Sequence, residues 1–287
     1  MASWKNATAA EPTTRGVLRP VETVETAELR RDPDVHPALA PFVERYWSVR
    51  WDRTGQPPFR SEVLSHPSVN VSVESGDRPR FGFALPAVLV HGVVTRRFVV
   101  DLVGVGRVTA AKFRPGGFRA FTGVLPARNS VTLLRGELGL DPDRLRADVL
   151  AEDDDADRTA VLDAVLDAAL APLAPEPDPA YLDLLAVLDA MIDDRSLVRV
   201  DQVAELAATS TRSLQRAFAT YVGVSPKAVL ARYRLQDAAA LIDAGQVDDL
   251  AALAADLGWF DQAHFSRDFR AVVGTTPSAY LTRARGG

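Results

Sequence analysis

Leu214-Gln-Arg-Ala-Phe218, leading to Val222-Gly223 and then Pro226, returns as Phe265-Ser-Arg-Asp-Phe269, leading to Val273-Gly274 and then Pro277. The spacing between matched positions is 51 residues without a gap, as in Arg216 and Arg267, and it extends outward to Leu230/Leu281 and Arg232/Arg283 and inward to Ala204/Ala255, Glu205/Asp256 and Leu206/Leu257. An apolar pattern, a glycine and a proline recurring together mark a duplicated supersecondary unit.

Each copy reads as two short helices joined by a turn. In the first, Asp201 is placed to cap a helix whose apolar face is Val203 and Leu206, and the chain turns at Ala208 to Ser210. A second helix is expected from Thr211 to Val222, closed by Gly223, with Pro226 opening the next. On that second helix Leu214, Phe218 and Tyr221 share one face, which leaves Arg212, Gln215, Arg216 and Ala219 on the other. In the second copy Phe265, Phe269 and Val272 are the inner face, Ala263, Ser266, Arg267 and Arg270 the outer one, and Gln262 stands at the helix start. Between the copies, Lys227 to Ile242 has neither glycine nor proline and is good helix material. At ~1.5 Å per residue it is a strut of about 24 Å, suited to holding two recognition helices about one DNA turn (~34 Å) apart.

Composition narrows the alternatives. The chain has 287 residues, 47% of them hydrophobic, which is ample for packed cores and comfortable for two domains. It has no cysteine, so disulfides, thiolate nucleophiles and thiolate zinc sites are excluded. The four histidines, His36, His66, His91 and His264, show no close ligand spacing, and neither metal nor cofactor is expected. No apolar run is long enough to span a bilayer, and Met1 to Arg15 lacks the apolar centre of a signal peptide, so a cytoplasmic, nucleoid-associated protein without membrane partners is expected. A net charge of -5 is unusual for a nucleic-acid binder, but the acid is concentrated centrally, as in Glu152-Asp153-Asp154-Asp155, and from Arg195 onward the balance turns slightly basic.

Texture divides the chain. Tyr46 to Trp51, Val69 to Val73 and Val88 to Val94 are short β-branched or aromatic runs bounded by turn residues, so the first half reads as mainly β. From Ser130 to Asp194 a Leu/Ala periodicity indicates helices, interrupted by the proline-rich run from Ala171 to Pro179. The expected organisation is a disordered tail at 1–16, a β-rich sensory or dimerisation domain with trailing helices at 17–171, a linker at 172–179 and a double helix-turn-helix domain at 180–287. The fold class is α+β, with an amino-terminal β-rich domain ahead of an all-α domain.

Val200 to Leu281, with Leu214 to Phe218, Gly258-Trp-Phe-Asp-Gln-Ala-His-Phe-Ser-Arg-Asp-Phe269 and Gly274-Thr-Thr-Pro277, resembles the DNA-binding region of AraC-type (AraC/XylS) transcription regulators. The resemblance implies a monomeric DNA-binding unit with both recognition helices in neighbouring major grooves, contacting DNA through Arg212, Gln215, Arg216, Gln262 and Arg267, to which the outer face adds Arg270. It departs from the family at Ala263, where a polar side chain is common. The first half, through His36 to Trp47, His66 to Val71 and Phe113-Arg-Pro-Gly-Gly-Phe118, resembles the β-rich sensory domains that precede such regions. It implies a cupin-like or barrel-like domain, or a distorted relative of one, that serves binding of a small-molecule effector, homodimerisation or both, and the family as a whole implies contact with RNA polymerase and, most commonly, activation.

Candidates for effector binding are Trp47, Trp51, His66, His91, Lys112 and Arg114. Against each stands a plainer reading: Trp47, Trp51, Phe81, Phe83 and Phe98 as core aromatics, the histidines as structural, Arg96-Arg97 and Lys112/Arg114 as a basic rim, and Gly116-Gly117 as a tight turn. No catalytic constellation is present. An enzymatic front domain with a DNA-binding tail is the rival function, and the thiol that alkyl transfer requires is missing.

Overall fold

The structure, a computed structural model, describes residues 16–32, 34–173 and 176–286. The expected tail thus lies outside the described residues except for Gly16, and the expected linker is described only in part. Helix α1 (Pro20–Thr26) precedes eight strands: β1 (Glu28–Asp32), β2 (Val43–Arg53), β3 (Phe59–Val63), β4 (Asn70–Gly76), β5 (Ala87–His91), β6 (Phe98–Leu102), β7 (Gly104–Phe113) and, after helix α2 (Gly117–Thr122), β8 (Val131–Leu133). From α3 (Pro142–Leu150) and α4 (Asp155–Leu170) onward the chain is helical, through α5 (Pro179–Asp193), α6 (Val200–Leu206), α7 (Thr211–Ala217), α8 (Pro226–Asp243), α9 (Leu250–Asp256), α10 (Gln262–Val273) and α11 (Pro277–Gly286). A β-rich half followed by a helical half is the architecture expected from the sequence.

Six strands pair in the order β1-β2-β7-β4-β5-β8, and β3 with β6 forms a separate ribbon. The period of two decides what each face of the sheet does. Tyr46, Val71, Val73, Val88, Val90, Ala111 and Phe113 bury against Leu145, Val149, Leu162, Leu166 and Leu170 of α3 and α4. Their alternates, Trp47, Val49, Asn70, Glu74, His91, Val108 and Lys112, line a cavity shared with the ribbon residues Ser61, Val63, Phe98, Val100 and Leu102. Trp51 sits further along the same face, where Gly106 admits it; a Cβ at that glycine would lie 2.0 Å from the indole ring.

The two halves are joined by more than the proline-rich run. Leu18 and Leu64 pack with Leu235, Ala238, Ala239 and Ile242 of α8. Beyond the end of β3, Arg232 donates to the Ser65 carbonyl at 3.0 Å, and Gln236 Nε2 donates to the Leu64 carbonyl. Arg97 holds the second unit, with its N–H on the Val272 carbonyl at 3.0 Å and its guanidinium on the Val273 carbonyl at 2.5 Å. One face of the strut is therefore a docking surface for the β-rich half.

Asp243 lies at the end of this interface, accepting from the Tyr280 hydroxyl at 2.9 Å and the Arg19 backbone N–H at 3.2 Å. Burial outweighs both donors and raises its pKa to about 6. A carboxyl raised on folding contributes stability that is complete below its unfolded pKa and is lost as pH rises through the folded one. Asp243→Asn keeps both acceptor contacts and removes the charge. We expect it to stabilise the protein by roughly 1–3 kcal/mol at pH 7.5 and by much less at pH 4.5. Thermal unfolding of both proteins at the two pH values checks this, and an equal effect at both would refute it.

Candidate nucleic-acid interface

The first helix-turn-helix unit is α6 and α7, the second α9 and α10. Their second helices are capped alike: Ser210 accepts from the Ser213 N–H and Asp261 from the His264 N–H. The helices that follow repeat the device, with Ser225 accepting from Ala228 and Thr276 from Ala279. Gly223 and Gly274 close the units with φ of 78° and 81°, values natural to glycine. These pairs all keep the 51-residue spacing.

The spacing changes in the first helix of each unit. The buried pairs are Val203 with Leu253 and Ala204 with Ala254, and the turn bonds Thr209 N–H to Ala204 O and Trp259 N–H to Ala254 O correspond to one another. These matches are 50 residues apart, so the repeat is not gapless. One residue is inserted in the second turn between Trp259 and Asp261, and that residue is Phe260. Trp259 is buried, donating its indole N–H to Asp268 at 2.9 Å beneath the Arg234 guanidinium, whereas Phe260 is 93% exposed.

Two further local expectations change. Helix α6 begins at Val200 with Arg199 as its cap residue, whose N–H is accepted by Gln202 Oε1 at 2.9 Å; Asp201 lies in the first turn, past the cap position, and accepts there from the Gln202 N–H at 3.1 Å. The run after α7 continues as a π-helical turn, Phe218–Val222. Val222 is the third buried residue behind Leu214 and Phe218, and Tyr221 turns aside to give its hydroxyl to Asp178 at 2.7 Å. In α10 the corresponding buried set is Phe265, Phe269 and Val273.

With those faces buried, Arg212, Gln215 and Arg216 of α7 and Gln262, Arg267 and Arg270 of α10 are all exposed. None of these arginines forms an ion pair with another described residue. Exposed guanidinium groups on two capped helices joined by an 18-residue helix can meet phosphates or base edges.

The β-rich half holds the cavity of about 180 Å³. Of the sequence candidates, Trp47, His66, His91 and Lys112 line it; Trp51 lies off it in the neighbouring core, and Arg114 instead donates to the Ala40 carbonyl at 2.8 Å. Arg31, Arg45, Asn70, Glu74 and Arg80 also line it and were not singled out from sequence. Arg45 was within reach of that reading, since it stands two residues before Trp47 and so on the same face; Arg31 and Asn70 depend on strand register. Burial lowers Lys112 to about 8 despite the Glu44 carboxylate 2.7 Å away. At the opposite end Glu74 pairs with Arg80 and His91, each at 3.0 Å. Among the described residues no group of three or more potential ligands could hold a metal ion, and no helix is long and apolar enough to cross a membrane.

Residues 203–283 match the family described as a helix-turn-helix domain, and residues 33–130 match one described as a domain of unknown function (DUF6597). A protein from Haemophilus influenzae, described as an uncharacterized HTH-type transcriptional regulator, is 35% identical over 97 residues, which is 34% of this chain and 31% of that relative. Among solved structures, ToxT from Vibrio cholerae is similar over 89% of this chain and 97% of its own, at 11% identity and a TM-score of 0.44. A transcriptional regulator from Chromobacterium violaceum with an AraC-type DNA-binding domain is similar over 36% of this chain and 92% of its own, at 23% identity and a TM-score of 0.33. The carboxy-terminal region thus matches a helix-turn-helix domain, and the amino-terminal region matches a class of domain without assigned function.

The division between buried and exposed faces is directly measurable. Phe265→Ala should cost about 3–5 kcal/mol by opening a cavity in the second unit, while Arg267→Ala, two residues on, should stay within about 0.5 kcal/mol. Thermal unfolding of the full chain compares them, and comparable losses would mean that Arg267 belongs to the core.

Proposed function

We propose that this chain is a transcription regulator that inserts α7 and α10 into adjacent major grooves and is controlled by a small molecule held in the cavity of its β-rich half. The observation that carries the first part is the pair of exposed, unpaired Arg/Gln faces on two like units joined by α8. In this reading Arg212, Gln215 and Arg216 read bases, while Arg267 and Arg270 chiefly meet phosphates, because Ala263 and Ser266 give the second helix little to read with. Phe260, inserted one residue before the cap of α10, adds an apolar group suited to a thymine methyl or a deoxyribose.

Control is supported by the strand exit at Ser65 and His66. Both residues line the cavity, the Ser65 carbonyl accepts from Arg232, and the His66 ring lies 5.1 Å from that of Tyr233 on the same helix. A ligand that shifts this segment shifts the strut between the reading helices. Dimerisation through the β-rich half and contact with RNA polymerase complete the proposal, as does a division of the chain into domains near residues 172–179.

The test begins with a DNA site selected by the full-length protein from a random pool, followed by binding to that site and its single-base variants. Arg216→Ala should flatten discrimination at one or two base pairs, each such contact being worth roughly 1–3 kcal/mol. Arg267→Ala should weaken binding evenly across sequences and reduce the salt dependence, since a phosphate contact releases about one counterion. Phe260→Ala should weaken binding with the salt dependence unchanged. Failure of Arg216→Ala and Arg267→Ala alike to affect binding would reject the assignment of these faces to DNA.

A further inference from the structure

The cavity has walls of two kinds. Val49, Val63, Phe98, Val100, Leu102 and Val108 form an apolar surround. At one corner the strand register assembles cations: Arg45 on β2 lies directly opposite Lys112 on β7, and Arg31 on β1 lies opposite Trp47, the next residue of β2 on that face. All three line the cavity. Lys112 is only 4% exposed, and its ammonium reaches the Glu44 carboxylate at 2.7 Å; Arg45 pairs with that same carboxylate. Glu44 thus answers two cations with one charge, and Arg45 Nε remains buried without a hydrogen-bond partner. The far end is closer to balance in charge, because Glu74 there is met by Arg80, with His91 and the Ser72 hydroxyl beside it, although Arg80 Nε is likewise buried without a hydrogen-bond partner.

Buried cations are stable when anions and hydrogen bonds answer them, and a surplus of positive charge facing an apolar cavity is a seat for a negative group. We infer that the cavity takes a compact organic anion, its acid group held at the corner of Arg45, Lys112 and Arg31 and its apolar body against the valines of the sheet and ribbon. Carboxylate oxygens there would accept charge-assisted hydrogen bonds, the strongest kind available to a small ligand. Size restricts the body. An apolar cavity of about 150 Å³ accommodates a benzene ring, so one of about 180 Å³ suits a ring or a short branched chain and excludes a long acyl chain. The inference deepens the reading of the cavity as the effector site and is independent of DNA contact.

The experiment measures binding of cyclohexanecarboxylate, its neutral amide and hexadecanoate to the full-length protein by calorimetry, with thermal unfolding alongside. The acid should bind at least about tenfold more tightly than the amide and raise the unfolding temperature, and hexadecanoate should do neither. Arg45→Gln and Lys112→Met should each abolish the preference for the acid over the amide. If Lys112→Met does not fold, Arg45→Gln decides alone, since it keeps the Glu44–Lys112 pair intact. Equal binding of acid and amide, an acid preference that survives both substitutions, no binding of the acid, or tight binding of hexadecanoate would overturn the inference. Affinity of the ligand-free protein for its selected DNA site is measured in parallel: loss of DNA binding with the acid preference intact would overturn the regulator reading and leave the site, and the reverse result would remove only the site.

Discussion

The structure turns on two backbone carbonyls. Beyond Val63 the chain leaves β3, and the carbonyls of Leu64 and Ser65 have no ribbon strand to accept from. Buried carbonyls require donors, and α8 supplies them through Gln236 and Arg232. The guanidinium of Arg232 is 5% exposed, and burial lowers its pKa to about 10. An arginine desolvated to that degree against neutral carbonyls is stabilised by position, because a rotation of α8 would leave both the cation and the carbonyls unanswered. The helix between α7 and α9 is in this way part of the packing of the β-rich half.

That constraint connects features that otherwise look separate. The segment from Val63 to His66 has the cavity on one side and α8 on the other. Arg97, at the end of the ribbon, ties Glu62 at 3.0 Å to the Val273 carbonyl that ends α10. Arg97 thus joins the ribbon to the end of α10, and Arg232 joins the exit of β3 to α8. Each link is a direct hydrogen bond or ion pair between neighbouring elements.

Much of the helical half was legible from the sequence because its information is local. A period near four, a cap and a closing glycine act within one or two turns, so Leu214 with Phe218 and Phe265 with Phe269 could be assigned inward and the arginines outward. The misreadings fell where a neighbour overrode the local pattern. Burial follows Leu214, Phe218 and Val222, and likewise Phe265, Phe269 and Val273, in place of Tyr221 and Val272, and Asp178 on the preceding segment takes the tyrosine hydroxyl. The gapless repeat failed because Ala204, Glu205 and Leu206 match Ala255, Asp256 and Leu257 by type, while burial follows Val203 with Leu253 and Ala204 with Ala254. In alanine-rich helices residue type is a weak guide to register, and it takes the burial pattern and the turn hydrogen bonds to reveal the inserted Phe260.

The β-rich half was less legible for a physical reason. Alternation places Trp47 and Lys112 on a face, but which face meets which depends on pairing between segments as much as 67 residues apart, such as Arg45 with Lys112. A single strand gives no sign of its register. From the sequence Lys112 stood as an effector candidate or part of a basic rim and Arg31 and Arg45 were not singled out, and only the sheet brings the three to one corner. The same registry explains why Arg114, one residue past the end of β7, turns to the opposite side and serves the Ala40 carbonyl. Adjacent cations with nearly identical sequence surroundings thus take unrelated roles: one is held at a cavity by its place in the pleat, and the other anchors a loop because the strand has ended before it.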